Sequence, residues 1–146
     1  MSLHREEAPI LSRTVTHALN ALSVLVCLPE GEYADARTLA AQVGAPPNYL
    51  SKLLGQLAKE GIVVARKGAG GGFRLDRPAA ELSLYEALEP IERLVSDDDC
   101  VLGRISCNAD APCPLHDKWE SIRGEMLGML KGTSLEEFAK GNRAIL

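Results

Sequence analysis

The sequence predicts a mainly α fold with a small β-hairpin wing, a winged helix-turn-helix joined to a long C-terminal dimerisation helix. Three observations carry that prediction. Apolar residues recur at helical spacing through residues 11–28, 36–43 and 47–59. A β-rich run at 62–66, a glycine turn at 67–72 and a second β-rich run at 73–75 follow directly. Near the C-terminus Trp119, Ile122, Met126, Leu127 and Leu130 again repeat at helical spacing.

In the first helix Leu11, Val15, Leu19, Leu22 and Val26 form the inward stripe, and Pro29 and Gly31 end it. Cys27, between Val26 and Leu28, reads as an inert core thiol. The apolar stretch 18–28 followed by Ala34-Asp35-Ala36 invites a signal-peptide reading. Glu6 and Glu7 spoil the positive start such a peptide needs, and Asn20 and Ser23 interrupt its apolar run. Asp35 caps a second helix with Leu39, Ala40 and Val43 inward, and Gly44 stops it. Pro46 and Pro47 open a third helix, where missing amide donors cost little. There Leu50, Leu53, Leu54 and Leu57 face the core, leaving Asn48, Tyr49, Ser51, Lys52, Gln56 and Lys59 outside. The hairpin that follows carries Arg66, Lys67 and Arg74 and occupies the place of a wing.

Ser83 and Glu86 form a capping box for a fourth helix that runs towards Leu94, with a kink expected at Pro90. A long helix over 115–131 ends at Gly132, and Ser134 with Glu137 caps a last short helix holding Leu135 and Phe138. The first three helices meet the core demand of the winged part. The stripe of the long helix then needs another partner, most simply a second copy of the chain. The expected organisation is a DNA-binding domain over 10–80 and a cysteine loop with dimerisation helices over 81–146.

At 146 residues the chain can bury a core without staples. Its net charge of −4 is unevenly spread, because residues 46–77 hold six basic side chains against two acidic ones. A locally basic module on an acidic body suits attraction to backbone phosphates. The glycines at 68 and 70–72 lead from strand to strand, not from strand to helix, and no Gly-Lys-Ser/Thr ending follows, which excludes a nucleotide-phosphate loop. No stretch has the roughly 20 apolar residues of a membrane span. Four cysteines are too few for a secreted disulfide scaffold, and the expected location is the cytoplasm.

Cys100, Cys107 and Cys113 are separated by six and five residues, with His116 three beyond. A disulfide would leave an odd thiol. There is no CxxC redox pair and no base placed for cysteine catalysis, so an enzyme is not expected. Three thiolates and an imidazole suit a Cys3His zinc site, while the loose spacing suits a larger iron–sulfur cluster. Spacing alone leaves both open.

Taken together, NYLSKLLGQLAKEGIVVARKGAGGGFRL (48–75), the three loop cysteines, CPLH (113–116) and TSLEEFA (133–139) resemble the Rrf-two family of winged-helix regulators, which includes IscR, NsrR and CymR. The resemblance covers about residues 11–140. It implies a cytoplasmic homodimer with crossed long helices that binds a palindromic operator in double-stranded DNA. It also implies an iron–sulfur cluster, 2Fe-2S or 4Fe-4S, on Cys100, Cys107 and Cys113. His116 matches the fourth-ligand histidine of IscR-like members, with His17 of the partner subunit a lesser candidate. Pro47, Asn48, Tyr49, Ser51, Lys52 and Gln56 are then the residues that meet base edges and adjacent phosphates, and Arg66, Lys67 and Arg74 reach backbone or minor groove. The expected function is regulation of transcription in response to iron–sulfur status, redox state or nitric oxide, with a zinc-binding or cluster-free thiol-responsive regulator as the alternative.

Overall fold

Capping chemistry sets where the helices begin. In the computed structural model, which describes residues 11–105 and 108–142, the Ser12 hydroxyl accepts the Val15 amide at 3.2 Å and opens α1 (Arg13–Val26). Asp35 does the same for α2 (Ala36–Val43), its carboxylate accepting the Thr38 amide at 2.8 Å, and Gly44 closes that helix at φ +71°. Pro47 then starts α3 (Pro47–Lys59).

Strands β1 (Val63–Arg66) and β2 (Gly72–Leu75) pair antiparallel, with Val64 opposite Arg74 and Arg66 opposite Gly72. Ala34 adds a third rung. Its amide donates to the Phe73 carbonyl at 2.9 Å and its carbonyl accepts the Phe73 amide at 2.8 Å. A Cβ at Gly72 would lie 2.4 Å from the Ala34 oxygen, at a φ of +138°, so only glycine fits this crossing.

The fourth helix is shorter than its sequence suggests. The capping box of Ser83 and Glu86 opens α4 (Leu84–Leu88) as expected, but the helix stops there instead of kinking on towards Leu94. Pro90 has no amide to donate back to the Glu86 carbonyl, and its ring collides with that carbonyl. After an irregular segment come α5 (His116–Gly132) and α6 (Leu135–Asn142). Two main-chain bonds tie their junction to the start of α4: the Leu84 amide donates to Thr133 at 3.0 Å and the Leu135 amide to Leu82 at 2.7 Å.

One core serves all of these elements. Leu22, Leu39, Leu50, Leu54, Leu57, Val63, Leu82, Leu88, Leu130 and Leu135 are fully buried in it. Removing each such side chain from water is worth about 1.5–3 kcal/mol. The C-terminal helices therefore help close the core that the first three helices were expected to complete. The Asn142 amide crosses from α6 to α1, donating to Asn20 at 3.1 Å and Ser23 at 3.3 Å.

One side chain at the end of α1 departs from the sequence reading. Cys27 is exposed instead of lying in the core. It caps α1 with its amide bonded back to Val24 and Leu25, at a position past the buried stripe. On α5 the stripe residue Ile122 is 57 % exposed and Met129, outside the stripe, is 56 % exposed. Among the described residues no helix is long and apolar enough to cross a membrane.

Candidate nucleic-acid interface and thiol site

On α3, Leu50, Leu53, Leu54 and Leu57 take the buried face, so Pro47, Asn48, Ser51, Lys52 and Gln56 are exposed on the other. A polar and basic helix presented after a tight turn has the shape that enters a major groove. Tyr49 differs from its expected outward placement. It is half-buried, its hydroxyl donates to Thr14 Oγ1 at 2.6 Å, and its ring meets His17 edge-on at 6.0 Å. The ring lies on the flank of α3 that faces α1, where it locks the two helices together. His17, the lesser ligand candidate, is packed in this contact, and its Nδ1 is buried with no hydrogen-bond partner among the described residues.

The hairpin places Arg66 and Lys67 in solvent and leaves Arg74 half-buried. Both guanidinium groups lie over one ring, that of Tyr33, at 5.7 Å from Arg66 and 5.2 Å from Arg74. Nothing in the sequence pattern marks Tyr33, because it precedes α2 in a stretch without periodicity.

Of the candidate ligands, Cys100 and Cys113 are brought together. Cys113 is buried, Cys100 is half-buried, and the Cys113 thiol is close enough to act on the Cys100 sulfur. The Arg104 amide and then the Leu102 amide donate to the Cys100 sulfur. With the Cys113 thiol and the Arg104 charge, they hold the Cys100 pKa below the ordinary thiol value, against an opposing effect of burial. Cys107 lies outside the described residues.

His116 is buried in the first turn of α5, its amide donating to the Cys113 carbonyl at 3.0 Å. Its imidazole Nε2 is 3.9 Å from Glu120 Oε2, and ligand atoms of His116, Asp117 and Glu120 lie within 4.8 Å of one another. Among the described residues no group within that radius joins His116 to both thiols. The donor set nevertheless suits a thiolate-bound centre, since two sulfurs converge and one sits where the anion is favoured.

A further feature escaped the sequence reading. The main-chain carbonyl of Asp99, one residue before Cys100, accepts both the Trp119 indole N–H at 2.7 Å and Arg123 Nη1 at 2.9 Å. The Asp99 carboxylate in turn accepts the Ser96 amide and Arg93 Nη2, each at 2.7 Å. The cysteine segment is thus fastened to α5 through its own main chain. Trp119 was the available signal, because an indole N–H in an apolar stripe needs an acceptor.

The profile of the Rrf2 family, described as an iron-dependent transcriptional regulator, matches residues 11–141. A protein of Aquifex aeolicus assigned as an HTH-type transcriptional regulator is 30 % identical over 130 residues, 88 % of this chain and 90 % of its own length. The HTH-type transcriptional regulator IscR of Photorhabdus laumondii is 28 % identical over 107 residues, 73 % of this chain and 65 % of its own length. Among solved structures, the global cysteine regulator CymR of B. subtilis superposes with a TM-score of 0.76 at 20 % identity, covering 89 % of this chain and 95 % of its own.

Proposed function

This chain belongs to the Rrf2 family of transcriptional regulators, and from that premise we propose that it is a homodimeric, cytoplasmic regulator whose grip on a palindromic operator responds to a metal centre on its cysteine loop. That it is a DNA-binding regulator and not an enzyme follows from the family itself. The finer reading is carried by one observation: Cys100 and Cys113 meet in a thiolate-favouring environment, on a segment bonded directly to α5.

In this reading Cys100, Cys107 and Cys113 hold an iron–sulfur cluster, with His116 as fourth ligand. Such a cluster supplies one-electron redox chemistry and reactivity towards oxygen or nitric oxide. The protein's own residues do the rest. Arg104 and two backbone amides favour the bound, deprotonated form of Cys100. Trp119 and Arg123 hold the Asp99 carbonyl, so a displacement of the loop at Cys100 is passed to α5. Exposed Ile122 and Met129 on α5, with Val101, Leu102 and Ile105 on the loop, give a second copy an apolar surface to cover. A rotation of that pair alters the spacing of the two α3 helices, and duplex geometry makes affinity sensitive to that spacing. Pro47, Asn48, Ser51, Lys52 and Gln56 then read the groove, and Tyr49 holds α3 in place from behind.

The closeness of the two thiols also favours a second reading, a zinc-binding or cluster-free regulator that responds through the thiols themselves. Anaerobic purification with iron, sulfide and zinc analysis separates the two. Brown protein with iron and acid-labile sulfide in equal amounts is expected; colourless protein carrying zinc or no metal overturns the cluster.

A further inference from the structure

Tyr33 precedes α2 and belongs to neither strand of the hairpin, yet both hairpin arginines converge on it. The strand register explains how. Val64 faces Arg74 and Arg66 faces Gly72, so Arg66 and Arg74 project diagonally from one face of the hairpin. Gly72 contributes no side chain between them. The paired bonds of Ala34 to Phe73, at 2.8 and 2.9 Å, fix the adjoining Tyr33 against that same hairpin. Its ring receives Arg74 at 5.2 Å and Arg66 at 5.7 Å.

The choice of an aromatic ring has an electrostatic consequence. A carboxylate in this position would gather two guanidinium groups but cancel their charge. A ring face attracts cations through its quadrupole and leaves their charge whole. Neither Arg66 nor Arg74 forms an ion pair within 4.0 Å among the described residues, and Arg74 Nε is buried without a hydrogen-bond partner there. Two like charges held close together, ordered and uncompensated, match a ligand with closely spaced negative charge. The duplex backbone, with one phosphate charge per roughly 1.7 Å of axis, is such a ligand.

We propose that Tyr33 is a positioning residue for DNA binding, its ring holding Arg66 and Arg74 side by side to engage consecutive backbone phosphates beside the groove that α3 enters. This deepens the reading of the wing as a DNA contact and rests on it. Ordering the two side chains before the encounter removes part of the entropy that binding otherwise has to overcome.

The test is a double-mutant cycle in the full chain. Affinity is measured by fluorescence anisotropy on a labelled duplex of arbitrary sequence, about 30 base pairs long, at low salt, where phosphate contacts dominate. Y33F keeps the ring and is expected to bind within about twofold of the parent, whereas Y33L keeps bulk without a π face and binds about tenfold weaker. In an R66A/R74A background the Y33L loss shrinks to under about twofold. Y33W, with the stronger cation-attracting ring, gains about twofold, and that gain too disappears without the arginines. It keeps the cycle measurable where Y33L is too unstable to assay. Parent-like binding by Y33L overturns the proposal, as does a Y33L or Y33W effect of equal size in both backgrounds, which marks a purely structural tyrosine. Unchanged affinity of R66A/R74A alone removes the wing reading and the proposal with it.

Discussion

The DNA-reading half and the cysteine segment are built by opposite means. From α1 to β2 the chain is held by buried leucines and main-chain pairing: α3 alone commits Leu50, Leu53, Leu54 and Leu57 to the core, and Ala34 locks the hairpin from the side. Between Leu88 and His116 the described residues form neither helix nor strand, and Val101, Leu102 and Ile105 stand exposed. Apart from Leu94, buried in the core, and Ile91 packed against it, that segment is held by a few polar bonds centred on Asp99. Burial makes a rigid reading head, because shifting it exposes the core. Polar fastening makes a segment that can rearrange at small cost, as regions of low local stability do. In the proposed function, the reader is the rigid part and the cysteine segment the part that rearranges.

Substitutions can sharpen or break this contrast. Leu54→Ala empties a fully buried position behind the reading helix and should cost about 3 kcal/mol of unfolding free energy in urea titrations. A loss below about 1 kcal/mol would mean that α3 is not anchored by the core. Trp119→Phe removes one of the two donors to the Asp99 carbonyl and should cost about 1 kcal/mol. Its larger mark should appear in the difference in operator affinity between metal-loaded and metal-free protein, which should shrink while metal-free binding stays constant. Equal weakening of both states would instead place Trp119 with the reading head.

The smallest expected effect concerns the cap of α2. Thr38, chiefly through its amide, holds the Asp35 carboxyl below its usual pKa of 3.8. A depressed acid contributes stability above the unfolded value and loses it as pH falls through the folded one. The thermal midpoint of the parent should therefore exceed that of Asp35→Asn near neutral pH, and the gap should close as the pH is lowered below 3.8. A gap that does not narrow on acidification would exclude a charge-dependent cap.

The same contrast governs what the sequence made legible. Leu50, Leu53, Leu54 and Leu57 repeat every three or four residues, and Asp35, Gly44 and Pro47 punctuate at the helix ends, so α2 and α3 could be read within one short window. Tyr49 resisted that approach, because its partner Thr14 lies 35 residues away on α1. Tyr33 and Arg74 meet only after Ala34 pairs with Phe73, a contact with no local signature. Cys27 sat in an apolar stretch, but a position just past the end of α1 faces outward whatever its neighbours are. In the cysteine segment the sequence offered Cys100, Cys107, Cys113 and His116 as ligand candidates without deciding between zinc and a cluster. The Asp99 clamp was not legible there, since its acceptor is a backbone carbonyl that every residue possesses.

The central claim, that the cysteine segment governs how the reading head grips DNA, is tested most directly on a duplex selected from a random pool by the anaerobic protein. Affinity for it is measured before and after exposure to nitric oxide, for the parent and for Cys113→Ser. The account predicts a change of about tenfold in the parent, equivalent to about 1.4 kcal/mol of coupling, and a single unchanging affinity in Cys113→Ser. A variant that still binds and still shifts by the parent's factor would contradict it.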